Sequence, residues 1–362
     1  MRVLGIGVIA LALALAACSA TEQPERPVLP TASGSPPAGP PPAERIQTIV
    51  TGLEAPWSLA FHGETPILSE RDSARILELD PAGTAREVAV IDGVAPRGEA
   101  GLLGVAVHDG HLYVALTAAD ENRVERFPIS GRPGSLALGD AEVLLEGVPA
   151  ANNHNGGRIA FGPDGMLYVT TGDAGDPRSA QDLDSLAGKI LRLTPDGEVP
   201  PDNPFPGSPV YSFGHRNPQG IAWAEDGTMY ASEFGQNTWD ELNVIEAGGN
   251  YGWPAAEGVA GQAGYIDPVQ QWTPAEASPS GIAISDGSVY IANLRGARLR
   301  EVPLGDLSAS TEHFVAEHGR LRDVVVAPDG TLWLLTNNTD GRGSPGPDDD
   351  RIIAFDPRAT GG

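Results

Sequence analysis

Arg158-Ile-Ala-Phe-Gly-Pro-Asp-Gly-Met-Leu-Tyr-Val-Thr-Thr171 reads as one β-hairpin. A short apolar strand meets a turn ending in Asp-Gly, and the second strand alternates apolar and polar residues. Asp-Gly between apolar runs is a strong hairpin signal, because glycine adopts positive φ without steric penalty. The unit recurs six times. Its first strands begin at Ser58-Leu-Ala-Phe, Leu103-Gly-Val-Ala-Val, Arg158-Ile-Ala-Phe, Gly220-Ile-Ala-Trp, Gly281-Ile-Ala-Ile and Asp323-Val-Val-Val. The second strands include Leu112-Tyr-Val-Ala, Leu167-Tyr-Val-Thr, Met229-Tyr-Ala-Ser and Val289-Tyr-Ile-Ala. A third strand closes most units, as in Arg75-Ile-Leu-Glu-Leu and Lys189-Ile-Leu-Arg-Leu. Antiparallel units about 40 to 60 residues apart predict an all-β, six-bladed β-propeller of four-stranded blades. The last unit stops after its third strand near Asp356, and Ile46-Gln-Thr-Ile-Val50 precedes the first. This N-terminal segment is therefore expected to supply the outermost strand of the last blade, closing the ring and removing an exposed edge.

The N-terminus predicts export. Arg2 is the only charge before an apolar run from Val3 to Ala17, which ends in Leu15-Ala-Ala-Cys18. This describes a secretory signal over residues 1–17. Cys18, the only cysteine in the chain, stands where a bacterial lipobox places its lipidated thiol. The expected location is the outer face of the cell membrane, held by a lipid anchor. One cysteine also excludes a disulfide framework and a cysteine-built metal site. Residues 18–44 are rich in Pro, Ala and Ser and read as a disordered tether, which leaves 45–362 as the propeller domain. The formal net charge is −25, and lysine occurs once, at Lys189. That balance argues against nucleic acid and against adhesion to anionic lipid, so membrane contact is through the anchor alone.

In a propeller the innermost strands surround a central channel and their entry loops share one face. The residues before each first strand are Trp57; Arg97, Gly98 and Glu99; Asn152-Asn-His-Asn-Gly-Gly-Arg158; Gly214-His-Arg-Asn-Pro-Gln219; a plainer Ser278-Pro-Ser280; and Arg320-Leu-Arg322. Polar groups at equivalent places in the repeats must converge on one mouth. Arg216, Arg320 and Arg322 there suit a ligand with several carboxylates or phosphates. His154 can take a proton near neutral pH, with Glu99 to orient it. Alone, a Gly-rich turn with a histidine reads as structural; the convergence argues for a site. A second cluster, Glu233-Phe-Gly-Gln-Asn-Thr-Trp-Asp-Glu241 and Gly248-Gly-Asn-Tyr-Gly-Trp-Pro254, offers hard oxygen ligands for calcium, or is a Gly/Asn-rich surface loop. There is no dinucleotide fingerprint, nucleophile elbow or zinc spacing.

Gly101-Leu-Leu-Gly104, His154-Asn-Gly-Gly-Arg158, Gly172-Asp173, Gly214-His-Arg-Asn-Pro-Gln-Gly220, Gly249-Asn-Tyr-Gly-Trp-Pro254 and Arg320-Leu-Arg-Asp323 occur in an order that resembles the soluble quinoprotein sugar dehydrogenases of the glucose/sorbosone and aldose sugar dehydrogenase type. The resemblance implies a propeller that binds pyrroloquinoline quinone (PQQ) and calcium at the channel mouth. It implies that His154 takes the anomeric hydroxyl proton, that hydride passes from C1 to PQQ, and that the product is a lactone. Arg216 would stabilise the developing oxyanion. Asn217, Arg320 and Arg322 would hold the cofactor, and Arg295 is the nearest counterpart of a cofactor-binding lysine. The carbonyls of Gly235 and Gln236 would bind the catalytic calcium, and Glu241 and Tyr251 match ligands of a second calcium. Glu99, Asn153 and Trp272 are the expected substrate contacts. Glu99 departs from a sugar-contacting glutamine of the glucose enzymes, and Asn153 replaces an aspartate beside the base.

Two other readings compete. A calcium-dependent lactonase would draw oxygen ligands from Asn153, Asp173, Asn217 and Glu233, but it leaves the arginines unexplained. A non-catalytic ligand-binding propeller lipoprotein is allowed by the fold, since propellers host many functions. The expected partners are a sugar, an electron acceptor that the sequence does not identify, and a second copy in a homodimer.

Overall fold

The computed structural model describes residues 46–80 and 82–360, so the expected signal segment, Cys18 and the tether lie outside the described residues. Each repeat folds as an antiparallel blade. Blade I runs Pro56–His62, Thr65–Glu70, Arg75–Leu79 and Ala85–Val90. Blade II runs Leu102–His108, His111–Thr117, Glu121–Ser130 and Glu142–Pro149, with Ala137–Leu138 as a short fifth strand. Blade III comprises Ile159–Phe161, Leu167–Thr171, Lys189–Leu193 and Val210–Phe213. Blade IV comprises Pro218–Trp223, Met229–Glu233, Asp240–Ile245 and Gln270–Trp272. Blade V comprises Pro279–Ser285, Ser288–Asn293, Arg298–Pro303 and Thr311–His313. Blade VI takes Leu321–Val326, Leu332–Thr336 and Ile352–Phe355 from the C-terminal end of the chain. Its fourth strand is Ile46–Val50, with Ile46 opposite Phe355. The ring closes as the sequence predicts. The described residues contain no α-helix, only short 3-10 turns such as Pro177–Ala180.

Alternation along the strands sends side chains to both faces of every blade, and both faces pack against a neighbour. The apolar core is accordingly six clusters, one in each gap between blades. Tyr113, Tyr168, Tyr230 and Tyr290, at one repeat position, are each at most 5 % exposed and fill successive gaps. Full burial of such a side chain contributes about 1.5–3 kcal/mol. Inside the ring, Arg158 of blade III reaches Asp323 of blade VI at 2.8 Å and Ser58 of blade I at 2.8 Å. Its Nε donates to the Gln219 carbonyl of blade IV at 2.9 Å, and its guanidinium lies 4.4 Å from the Trp57 ring centroid. This buried strut ties four blades together within the channel.

Candidate active site

The entry loops meet as expected. Trp57, Glu99, His154, Arg216, Asn217, Ser278, Arg320 and Arg322, which represent all six blades, line one cavity of about 430 Å³. Gly235, Gln236 and Arg295 join the same lining. Two expected substrate contacts lie elsewhere. Asn153 is exposed and outside the lining. Trp272 sits in the outermost strand of blade IV, with the Arg300 guanidinium 4.4 Å from its ring centroid. The fourth strand of a blade is the one farthest from the channel, so an aromatic there packs between blades.

His154 is held by a partner that the entry-loop reading did not pair with it. Its Nδ1 lies 2.7 Å from Asp173 Oδ1. Gly172 permits this approach: a Cβ there would lie 2.0 Å from the His154 carbonyl oxygen. Asp173 also accepts the Gly175 N–H at 2.8 Å and the Trp253 indole N–H at 2.9 Å. Burial works to raise the Asp173 pKa, but the His154, Gly175 and Trp253 donors outweigh it and hold the carboxyl below its ordinary value. An ionised carboxylate only accepts hydrogen bonds, so Nδ1 carries its proton and Nε2 is left as the basic nitrogen. Glu99 holds His154 by its backbone and not by its ring: it accepts the backbone N–H of His154 at 3.1 Å, while Asp173 orients the ring.

Arg216 follows a rigid support. His215 Nδ1 is 2.8 Å from Glu233 and its Nε2 is 2.8 Å from the Ser212 hydroxyl, all buried. Glu233 also accepts the backbone N–H of Arg216. This Ser-His-Glu series resembles a hydrolase triad in order, but burial keeps substrate from it. The Arg216 guanidinium lies 5.5 Å from the Trp253 ring centroid and donates to the carbonyl of Gly235. Its Nε is buried without a partner among the described residues. Asn217 Oδ1 accepts the Gly156 N–H at 3.0 Å and so braces the loop of the base.

The opposite wall is built around Asp340. Its fully buried Oδ2 lies 3.3 Å from Arg320, 3.9 Å from Arg322, 4.0 Å from Arg71 and 4.0 Å from Arg342. Arg322 donates to Gln219 at 2.9 Å and to Asn337 at 3.0 Å. Burial pushes its pKa down to about 9 against the pull of Asp340. Arg71, Asp173, Gly235, Arg295 and Asn337 have one origin: each lies at or just past the end of a second strand. In an antiparallel hairpin the end of the second strand lies beside the start of the first. That was the available signal for the residues that entry loops alone do not reveal.

The cavity lining holds six arginines against two carboxylates, Glu99 and Asp240. With the unpartnered Arg216 Nε, this lining fits a flat polyanion. A cation is less well served by the chain alone. Among the described residues no group of three or more His, Cys, Asp or Glu is arranged to hold a metal. The loop bearing the Gly235 and Gln236 carbonyls is nevertheless firmly placed. Glu257 Oε1 accepts four successive N–H groups, from Gln236 at 2.7 Å to Trp239 at 3.2 Å. Asp240 accepts Gly235 N–H at 2.8 Å and Ser278 N–H at 2.6 Å, and burial pushes its pKa up to about 6. Glu241 accepts Gly258 N–H at 2.6 Å, and burial with the nearby Glu233 pushes its pKa up to about 8. The Tyr251 hydroxyl donates to the Val244 carbonyl at 2.7 Å and accepts Glu246 N–H at 2.8 Å, which leaves only its carbonyl for a cation. Of the oxygens of the lactonase reading, Asn153 is exposed and outside the cavity lining, and Asp173, Asn217 and Glu233 each accept hydrogen bonds within the protein.

Residues 53–344 match the model of the glucose/sorbosone dehydrogenase family. The chain belongs to this family. As one of its members the enzyme is an oxidoreductase. It is 50% identical to the PQQ-bound form of an aldose sugar dehydrogenase from Streptomyces coelicolor, with a TM-score of 0.82 over 86% of this chain and 96% of that one. It is 33% identical to quinoprotein glucose dehydrogenase B of Acinetobacter calcoaceticus over 60% of this chain and 54% of that protein, about half its length. The aldose sugar dehydrogenase YliI of Escherichia coli is 27% identical over 82% of this chain and 91% of its own.

Proposed function

We propose that the enzyme oxidises an aldose at C1 to the lactone, with PQQ as the oxidant in the arginine-lined cavity. The observation that carries this reading is the His154–Asp173 pair, which lies at the edge of a cavity lined by six arginines. When bound, PQQ supplies the two-electron acceptor for the hydride from C1. The chain supplies the rest. His154 Nε2 removes the C1 hydroxyl proton, and Asp173 stabilises the imidazolium that results. Arg216, partly desolvated and backed by Trp253, presents positive charge where negative charge develops. Arg320 and Arg322, preorganised by Asp340 and Asn337, suit the carboxylates of the cofactor, and Arg295 adds charge at the rim. The Gly235 and Gln236 carbonyls are the donors offered to a calcium ion. A six- to eight-oxygen shell then requires oxygens from the cofactor or water, and the Gly235 carbonyl must be released by Arg216. Glu241 and the Tyr251 carbonyl remain candidates for a second calcium. The Leu15-Ala-Ala-Cys18 sequence supports export and anchoring through Cys18 at the outer face of the membrane.

The test is reconstitution of the purified protein with PQQ and calcium, followed by dye-linked oxidation of a broad aldose panel. Turnover that requires PQQ and ends in a lactone is expected. Lactone hydrolysis without PQQ, or no oxidation of any sugar, overturns the proposal.

A further inference from the structure

We propose that Glu99 is a positioning residue for the His154 base, clamped by Arg342, and not a ligand of the sugar. The inference rests on the base assignment above. Both Glu99 oxygens are engaged within the protein: Oε2 accepts the His154 backbone N–H at 3.1 Å, and Oε1 lies 3.3 Å from Arg342. His154 needs such restraint. Its φ of 56° lies in the left-handed region, which a residue with a Cβ holds only when its surroundings over-determine it. Three contacts do so. Glu99 takes its N–H, its carbonyl accepts Ala174 N–H at 3.2 Å, and Asp173 takes Nδ1–H at 2.7 Å.

The clasp works in both directions. Glu99 N–H donates to the Asn152 carbonyl at 2.7 Å, which joins the entry loops of blades II and III. Gly98 makes that approach feasible, since a Cβ there would lie 2.2 Å from the same carbonyl oxygen. Arg342 arrives from blade VI, with its backbone N–H fixed on Asp340 at 2.9 Å. The circuit from blade VI through Glu99 to blade III thus ends on the backbone of the base. Glutamine at 99 would still accept the N–H but would lose the ion pair with Arg342. Because Glu99 also lines the cavity, the two roles must be separated by kinetics. A sugar ligand acts on KM in a sugar-dependent way, whereas a group that places the base acts on kcat for every sugar alike.

Steady-state kinetics on several aldoses compare the wild type with Glu99→Ala, Glu99→Gln, Arg342→Ala and His154→Ala. PQQ affinity by absorbance and thermal unfolding report on the site and the fold. Glu99→Ala should lower kcat about tenfold or more for all sugars, as loss of a hydrogen bond to a charged group implies. Its KM should stay within about threefold, PQQ affinity should be retained, and Glu99→Gln should recover most of the loss. Arg342→Ala should show a smaller fall in kcat. A sugar-dependent rise in KM with kcat retained in Glu99→Ala overturns the inference. If Glu99→Ala does not fold, an unchanged kcat in Arg342→Ala overturns it instead. Full turnover in His154→Ala removes the base assignment and this inference together. Lost turnover in His154→Ala with kcat retained in Glu99→Ala removes only the role of Glu99.

Discussion

Asp173→Asn is the substitution that probes the proposed base most sharply. The carboxylate accepts three donors: His154 Nδ1–H at 2.7 Å and Gly175 N–H at 2.8 Å through Oδ1, and the Trp253 indole at 2.9 Å through Oδ2. An amide has the same shape but only one accepting oxygen. If that oxygen faces His154, the NH2 meets the Trp253 N–H donor. If it faces Trp253, the NH2 forces Nδ1 to accept, the ring proton moves to Nε2, and the base is blocked. Either arrangement loses at least one charge-assisted hydrogen bond, about 1.5–3 kcal/mol. If that stabilisation is felt in the transition state, kcat falls by about 10- to 150-fold. The assay is kcat with saturating aldose and PQQ, alongside a PQQ titration. Affinity for PQQ should stay within a few fold, because the Asp173 carboxylate bonds the base and makes no contact with Arg320 or Arg322, and its backbone N–H bond to the Arg216 carbonyl at 2.8 Å is kept by asparagine. A kcat within about twofold of wild type would refute the dyad as the source of the base.

Other outcomes follow from the same geometry. Arg158→Met strands the Asp323 carboxylate inside the channel and should destabilise the fold by about 3–5 kcal/mol, read by thermal or denaturant unfolding; the double change with Asp323→Leu should recover much of it. For Asp173, Asp340 and Glu257, burial raises the pKa, but hydrogen-bond donors and neighbouring positive charge prevail, so each folded pKa is depressed. Their stabilisation is therefore full above the ordinary carboxylate range and lost as pH falls through the depressed values, which predicts a falling unfolding midpoint below about pH 4. Cys18→Ser should move the protein from the detergent phase to the aqueous phase in a partition assay; an unchanged distribution would count against lipidation.

The hairpins were legible because their signal is local. Each Asp-Gly turn and each Leu-Tyr-Val-like strand is written within about fifteen residues. Outermost strands were harder to read. Gln270–Trp272 and Thr311–His313 are three residues long, and Ala85–Val90 is partly exposed, so their patterns carry little weight. That also explains Trp272, an aromatic whose place in an outer strand shows only once the blade is assembled. At the site, repeat equivalence located one residue set, the entries to first strands. Arg71 and Asp340 stand 269 residues apart, and no short pattern announces that a single buried carboxylate gathers four guanidiniums. Asp173 lies 19 residues after His154, in the segment just past a second strand, and reading those segments beside the entries would have paired them.

The proposed function requires that the arginine-lined mouth hold a redox cofactor that this chain uses on sugars. Titration of the purified protein with PQQ in the presence of calcium, followed by absorbance, tests it most directly. Saturable binding and a spectral change to the reduced form on addition of aldose are expected, with His154→Ala binding PQQ comparably but showing no such change. Absence of binding, or a bound cofactor that no aldose reduces, would contradict it.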